Sequence, residues 1–144
     1  MTTPKNIAEC FLWLDKINDG DGVSNLKLQK LTYYANGFYS AIHDKPLFED
    51  KISAWAHGPV VENLYHEYKQ YGSERIPTPE NNPFHKIDKE EAELVKEVFD
   101  VFGQYSAWKL RNMTHEETPW IEHEADAGVI PNDDMKEYFK TRLK

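Results

Sequence analysis

The sequence predicts a mainly α, single-domain helical bundle of about six helices over residues 1–144, with at most a short β-hairpin. Three observations predict it. Apolar residues recur three and four apart over most of the chain. Residues with N-cap chemistry stand just before those runs. Few segments alternate apolar and polar residues as a half-buried strand does.

The first helix opens with Thr3 as N-cap and Pro4 at its first position. Ile7, Cys10, Leu14 and Ile17 then share a face, with Phe11 beside them, and "NDGDG" ends the run. Ser24 caps the second helix, in which Leu28, Leu31, Ala35, Phe38 and Ile42 form one stripe that Tyr34 widens. Pro46 stops it, because proline lacks the N–H a continuing helix needs.

"LFEDKISAWAHG" has no helical period and suits a short strand or hairpin. Gly58-Pro59 could grip a phosphate or punctuate the chain. A phosphate cradle needs several backbone N–H groups in succession, and Pro59 has none to give. The pair therefore reads as the opening of a third helix, with Gly58 at a permissive turn and Pro59 at the first helical position. Val61, Leu64, Tyr65 and Tyr68 follow on one face.

Residues 73–87 hold three prolines and read as a loop. Asp88 and Glu91 have capping-box spacing at the start of a fourth helix. Its apolar residues spread from Leu94 to Phe102 beyond one face, which predicts a central helix. Ser106 caps a fifth, "EETPWIEHEADAGVIP" is irregular, and a short last helix carries Met135, Tyr138 and Phe139.

A chain of 144 residues buries enough surface to fold without disulfide or metal. Its single cysteine, Cys10, lies in an apolar stripe and predicts a buried, reduced thiol in a cytoplasmic protein. No apolar stretch is long enough to span a bilayer, and the N-terminus lacks a signal-peptide layout. No membrane partner is expected.

Net charge is −8, and most of the acidic excess lies after residue 75. Between Arg111 and Lys136 there is no lysine or arginine, while Glu116, Glu117, Glu122, Glu124, Asp126, Asp133 and Asp134 all fall there. Such a field repels nucleic acid and attracts basic proteins. It equally fits a solvated face that aids solubility.

The residues offer little catalytic chemistry. "HEETP" and "HEYKQ" lack the second histidine of a zinc-hydrolase helix. Glu62 and His66 are spaced to pair on a helix surface. His115 and His123 flank an acidic loop and could share a metal with Glu116 or Glu122, though the spacing matches no specific template. No nucleophile elbow occurs. No cofactor, metal or catalytic set is expected. "THEETPW" reads as a turn closing the core, with His115 bonded to backbone, Pro119 stiffening the chain and Trp120 plugging the bundle. Trp120 fits a recognition anchor equally well.

Taken together, several segments resemble the signature of the SocA-like Panacea antitoxin domain family, also found as prophage-associated GepA-like proteins. The resemblance rests on "NLKLQKLTYYANGFYSAIHDKPLFEDKISAWAHGPVVENLYHEY" and on "LRNMTHEETPW". The matching positions include Lys27, Leu28, Gln29, Lys30, Leu31, Tyr33, Tyr34, Trp55, Gly58, Pro59, Tyr65 and Tyr68. Downstream they include Thr114, His115, Pro119 and Trp120.

The resemblance implies an antitoxin that neutralises a cognate protein toxin by direct contact, with no enzymatic activity. It also implies an alternative, an adaptor that delivers a toxin or other client to an AAA+ protease. Two further readings are a prophage-encoded host-interaction protein and a metal-dependent hydrolase. The family's extra DNA-binding domain has no counterpart in this sequence, so no direct nucleic-acid partner is expected. The candidate partner-binding residues are Trp55, Tyr65, Tyr68, Trp120, Glu116 and Glu117, and the acidic interval suits a basic toxin.

Overall fold

The computed structural model describes residues 1–143. The chain runs α1 (Pro4–Ile17), α2 (Asn25–His43), β1 (Ile52–Trp55), β2 (Gly58–Val61), α3 (Glu62–Tyr68), α4 (Lys89–Phe102), α5 (Ala107–Thr114), α6 (Thr118–Ile121) and α7 (Asn132–Lys140). The fold is thus mainly helical with one antiparallel hairpin.

Local chemistry sets most helix starts. The side chains of Thr3, Ser24 and Ser106 each accept the backbone N–H three residues on. Asp88 and Glu91 complete a reciprocal capping box. Each cap satisfies a donor the helix leaves open, worth about 1 kcal/mol. α6 comes from the segment expected to be irregular; Pro119 lies in its first turn.

The central helix is α2, not the fourth helix. Fourteen of its 19 residues are buried, and α1, α4, α5, α7 and β2 pack around it. Its polar residues disguised this. Gln29, Lys30, Thr32, Asn36 and Ser40 are buried because each finds a hydrogen-bond partner inside the fold. α4 instead turns Leu94, Val95, Val98 and Phe102 inward and leaves Val101 half-exposed. Ile17 and Ile42, placed in core stripes by their spacing, are likewise exposed. α7 lies very close to α2: a Cβ at Gly37 would fall 2.2 Å from the Phe139 ring.

The reading of Gly58-Pro59 as a helix start is corrected. Both residues lie in β2, and the helix begins at Glu62. Ala54 pairs with Pro59 across the hairpin. The Ala54 N–H points the other way, to the Gly128 carbonyl at 2.9 Å. Pro59 therefore stands where its missing N–H would face outward, the position a strand tolerates for proline. The turn residues Ala56 and His57 have ordinary negative φ, and Gly58 takes φ +108° directly after them. Residues 128–130 pair along the other edge of β1, where Ile130 N–H donates to Ile52 O at 2.8 Å.

Candidate functional site

Among the described residues no strand neighbours the outer edge of β2; side chains from α2 satisfy it. Gln29 Oε1 accepts the Val61 N–H at 2.9 Å. Lys30 Nζ donates to the Pro59 carbonyl at 3.0 Å. Gln29 is itself held by Asn25 Oδ1 at 2.9 Å. Adjacent residues of α2 thus fasten the hairpin to the central helix. Lys27 fastens the other side, its Nζ donating to Gly103 O at the end of α4 at 2.7 Å. Leu28 and Leu31 are fully buried in the core.

Beneath Gly58 the packing is tight. A Cβ there would lie 2.5 Å from Lys30 Cε and 2.7 Å from Thr114 Oγ1. Thr114 is fully buried and donates to Arg111 O at 2.8 Å. Burial, with the like charge of Arg111 adding, pulls the Lys30 amine down to about 7.

Between α2, the hairpin and α3 lies a cavity of about 370 Å³, walled by Leu26, Trp55, Val60 and Tyr65, with Gln29 and Lys30 also lining it. Trp55 and Tyr65 are half-buried and meet edge to face at 5.1 Å. The Trp55 carbonyl accepts the Trp120 indole N–H at 2.7 Å. Trp120, also half-buried, stacks on His115 at 3.8 Å with rings 8° from parallel. Burial lowers the His115 imidazole, and Arg111, Lys30 and His57 push the same way against a bond at the Ala56 backbone. His115 Nε2 and Arg111 Nε are buried with no hydrogen-bond partner.

The partner-binding candidates therefore separate. Trp55, Tyr65 and Trp120 gather around the hairpin. Tyr68, on the same helix as Tyr65, is buried in the core. Glu116 is exposed. Glu117 is not part of an exposed acidic face: it is 3% exposed, and its carboxylate accepts Tyr33 OH at 3.0 Å and Tyr34 OH at 2.8 Å. Burial raises its carboxyl above the usual range, while the tyrosines and Arg142 pull the other way. Within the first turn of α6, Pro119 is buried.

The histidines do not converge. Glu62 turns to the Ser53 hydroxyl and to Lys51 rather than pairing with His66. His123 bonds Asp134 at 2.8 Å. Among the described residues no three His, Cys, Asp or Glu side chains form a metal-holding group. None of the described helices is long and apolar enough to cross a membrane. The Cys10 thiol is fully buried and pushed up to about 12.

Sequence reasoning missed two features. Lys30 was legible as part of a lysine-leucine-glutamine-lysine run, but nothing in its spacing marks it as buried. Arg142 near the C-terminal end reaches Glu117 at 3.5 Å, a contact between residues too far apart for any local pattern to signal.

No curated protein and no solved structure matches the chain. The family model described as antitoxin SocA-like, Panacea domain, matches residues 28–121, from Leu28 in the first turn of α2 to the end of α6. That span takes in the hairpin, the Gln29 and Lys30 side chains that bond its outer edge, and the Glu117 turn. The chain belongs to the SocA-like antitoxin family of Panacea domains.

Proposed function

We propose that the chain neutralises a cognate protein toxin by direct contact, using the face formed by the hairpin, α3 and the α6 turn. Family membership carries the antitoxin reading. The choice of face rests on one observation: half-buried Trp55 and Tyr65 line a cavity, and half-buried Trp120 is bonded to the Trp55 carbonyl beside it. Aromatic side chains held rigidly at a surface are effective anchors, because little conformational freedom is lost when a partner covers them. Neutralisation is then steric, the domain covering the toxin's working surface, with no catalytic step. Exposed Glu116, Glu122 and Glu124 beside this face favour a partner with a basic rim.

The test is co-expression with the neighbouring open reading frame, scored by growth and by co-purification. Arrest by the neighbour alone, with rescue and a stable complex on adding this chain, is the expected outcome. A harmless neighbour with nothing co-purifying overturns it.

The protease-adaptor reading needs a second surface. A groove of about 420 Å³ beside α2 and α4, lined by Phe38, Ile42, Val98 and Val101, would suit one. Ile42 and Val101 are half-exposed there. Measuring the toxin's half-life with and without this chain separates the two: shortening favours delivery to a protease, and an unchanged half-life favours plain neutralisation.

A further inference from the structure

We propose that the hairpin cavity receives an acidic side chain of the partner protein, an aspartate or glutamate next to an apolar residue. The inference rests on the toxin-binding reading and adds the chemistry of the contact.

The charge around the cavity is opposite to that of the chain. The protein carries 25 acidic and 17 basic residues. Yet, among the described residues, the charged or titratable groups lining this cavity are Lys30, His57, Lys69 and the Tyr65 phenol, with no carboxylate. Behind it the same sign continues. Arg111 acts on Lys30 as a like charge, and Arg111, Lys30 and His57 act together on His115.

Donors in this cluster are left open. Lys30 is completely buried and its ammonium has three donors, of which one goes to Pro59 O. Arg111 Nε is a second donor buried without a partner. Groups of this kind are costly to leave unmatched. A carboxylate entering the cavity is attracted by the Lys69 ammonium and by Arg111 behind it, and its charge favours the protonated form of Lys30, whose amine burial otherwise holds at about 7. A basic side chain is repelled there.

The walls restrict the occupant further. Leu26, Trp55, Val60 and Tyr65 offer apolar surface to the neighbouring residue of the incoming segment. The volume of about 370 Å³ suits one or two side chains. A polyanion such as nucleic acid would meet the acidic remainder of the surface, so an isolated acidic side chain fits better. The Trp120 bond to the Trp55 carbonyl and the Gln29 bond to Val61 hold the walls before any partner arrives, which reduces the cost of ordering them on binding.

The experiment uses the full chain labelled with ¹⁵N. The probes are the capped tetrapeptide Leu-Glu-Phe-Asp, its amide counterpart Leu-Gln-Phe-Asn, and inorganic phosphate alone. The readout is the Trp55 indole N–H resonance. The expected result is a saturable shift with the acidic peptide and at least tenfold weaker binding of the amide peptide. The double variant His57→Glu/Lys69→Glu, at two exposed positions, should bind the acidic peptide at least tenfold more weakly with an unchanged melting temperature. Equal response to both peptides overturns the inference. So does phosphate matching the acidic peptide, or no Trp55 shift at millimolar concentration. Toxin rescue is scored separately. Rescue by the native chain that survives the double charge reversal, with no peptide binding, removes the pocket and leaves the antitoxin reading standing. Failure of the native chain to rescue removes the antitoxin reading, and the peptide titration still decides the pocket.

Discussion

The Tyr34 hydroxyl donates to the Glu117 carboxylate at 2.8 Å across 83 residues of sequence. Tyr33 supplies a second donor to the other carboxylate oxygen at 3.0 Å. This joins the central helix to the turn that carries Pro119 and Trp120. Replacing Glu117 with Ala leaves two buried hydroxyls without an acceptor, and the expected loss is about 2–3 kcal/mol. The melting temperature should fall by about 5–10 °C. Tyr34→Phe removes one donor and should cost about 1 kcal/mol. The double variant should lose clearly less than the sum, because both changes break one network. Strict additivity in denaturant melts would show that the contact is not energetically coupled.

Lys30 gives a pH dependence of definite sign. Burial depresses its amine from 10.5 to about 7. Above pH 7 the folded amine releases its proton while the unfolded one keeps it. The unfolded state therefore binds more protons, and stability rises with pH through this window, by at most about 1.4 kcal/mol per pH unit. Above pH 9 the raised Cys10 thiol and Tyr34 phenol act in the opposite direction. Urea melts between pH 7 and 8.5 should show the rise in the native chain and a flatter profile in Lys30→Met. Parallel profiles would mean that Lys30 titrates as an exposed lysine does.

Gly58→Ala is expected to cost about 2–3 kcal/mol. The backbone there has φ +108°, which an L side chain rarely adopts. The new Cβ also meets Lys30 Cε at 2.5 Å and Thr114 Oγ1 at 2.7 Å. A melting temperature within 1–2 °C of native, a small fraction of the shift that such a loss implies for a chain this size, would contradict this account of the turn.

Trp55 and Tyr68 should separate binding from stability. Tyr68 is buried in the core, so Tyr68→Ala should destabilise the free chain by about 3 kcal/mol. Trp55 is half-buried beside the cavity. Trp55→Ala should weaken toxin binding at least tenfold, about 1.4 kcal/mol or more, with a smaller change in the melt. Titration calorimetry alongside thermal melts distinguishes them. An unchanged affinity in Trp55→Ala would place the interface elsewhere.

How much was legible follows the range of the forces involved. The starts of α1, α2, α4 and α5 were readable because a cap acts within three residues of itself. Gly58-Pro59 was misread because a strand edge and a helix start use the same two residue types. Ala54, which pairs with Pro59, is close in sequence, but the strand neighbour at Gly128 that completes the pairing of β1 comes from chain that folds back much later. Glu117 was grouped with its acidic neighbours because charge in a sequence carries no sign of burial. Its tyrosine partners lie over 80 residues away.

By itself, the sequence determined the helical class, the positions of most helix caps, the buried Cys10 and the family to which residues 28–121 belong, since each depends on local spacing or on a run of residue types. Only the tertiary structure decided that α2 is central, that Lys30 and Glu117 are buried, and that a cation-lined cavity opens in an acidic chain. Those outcomes depend on which distant groups supply each polar atom with a partner, and periodicity along a chain carries no record of that.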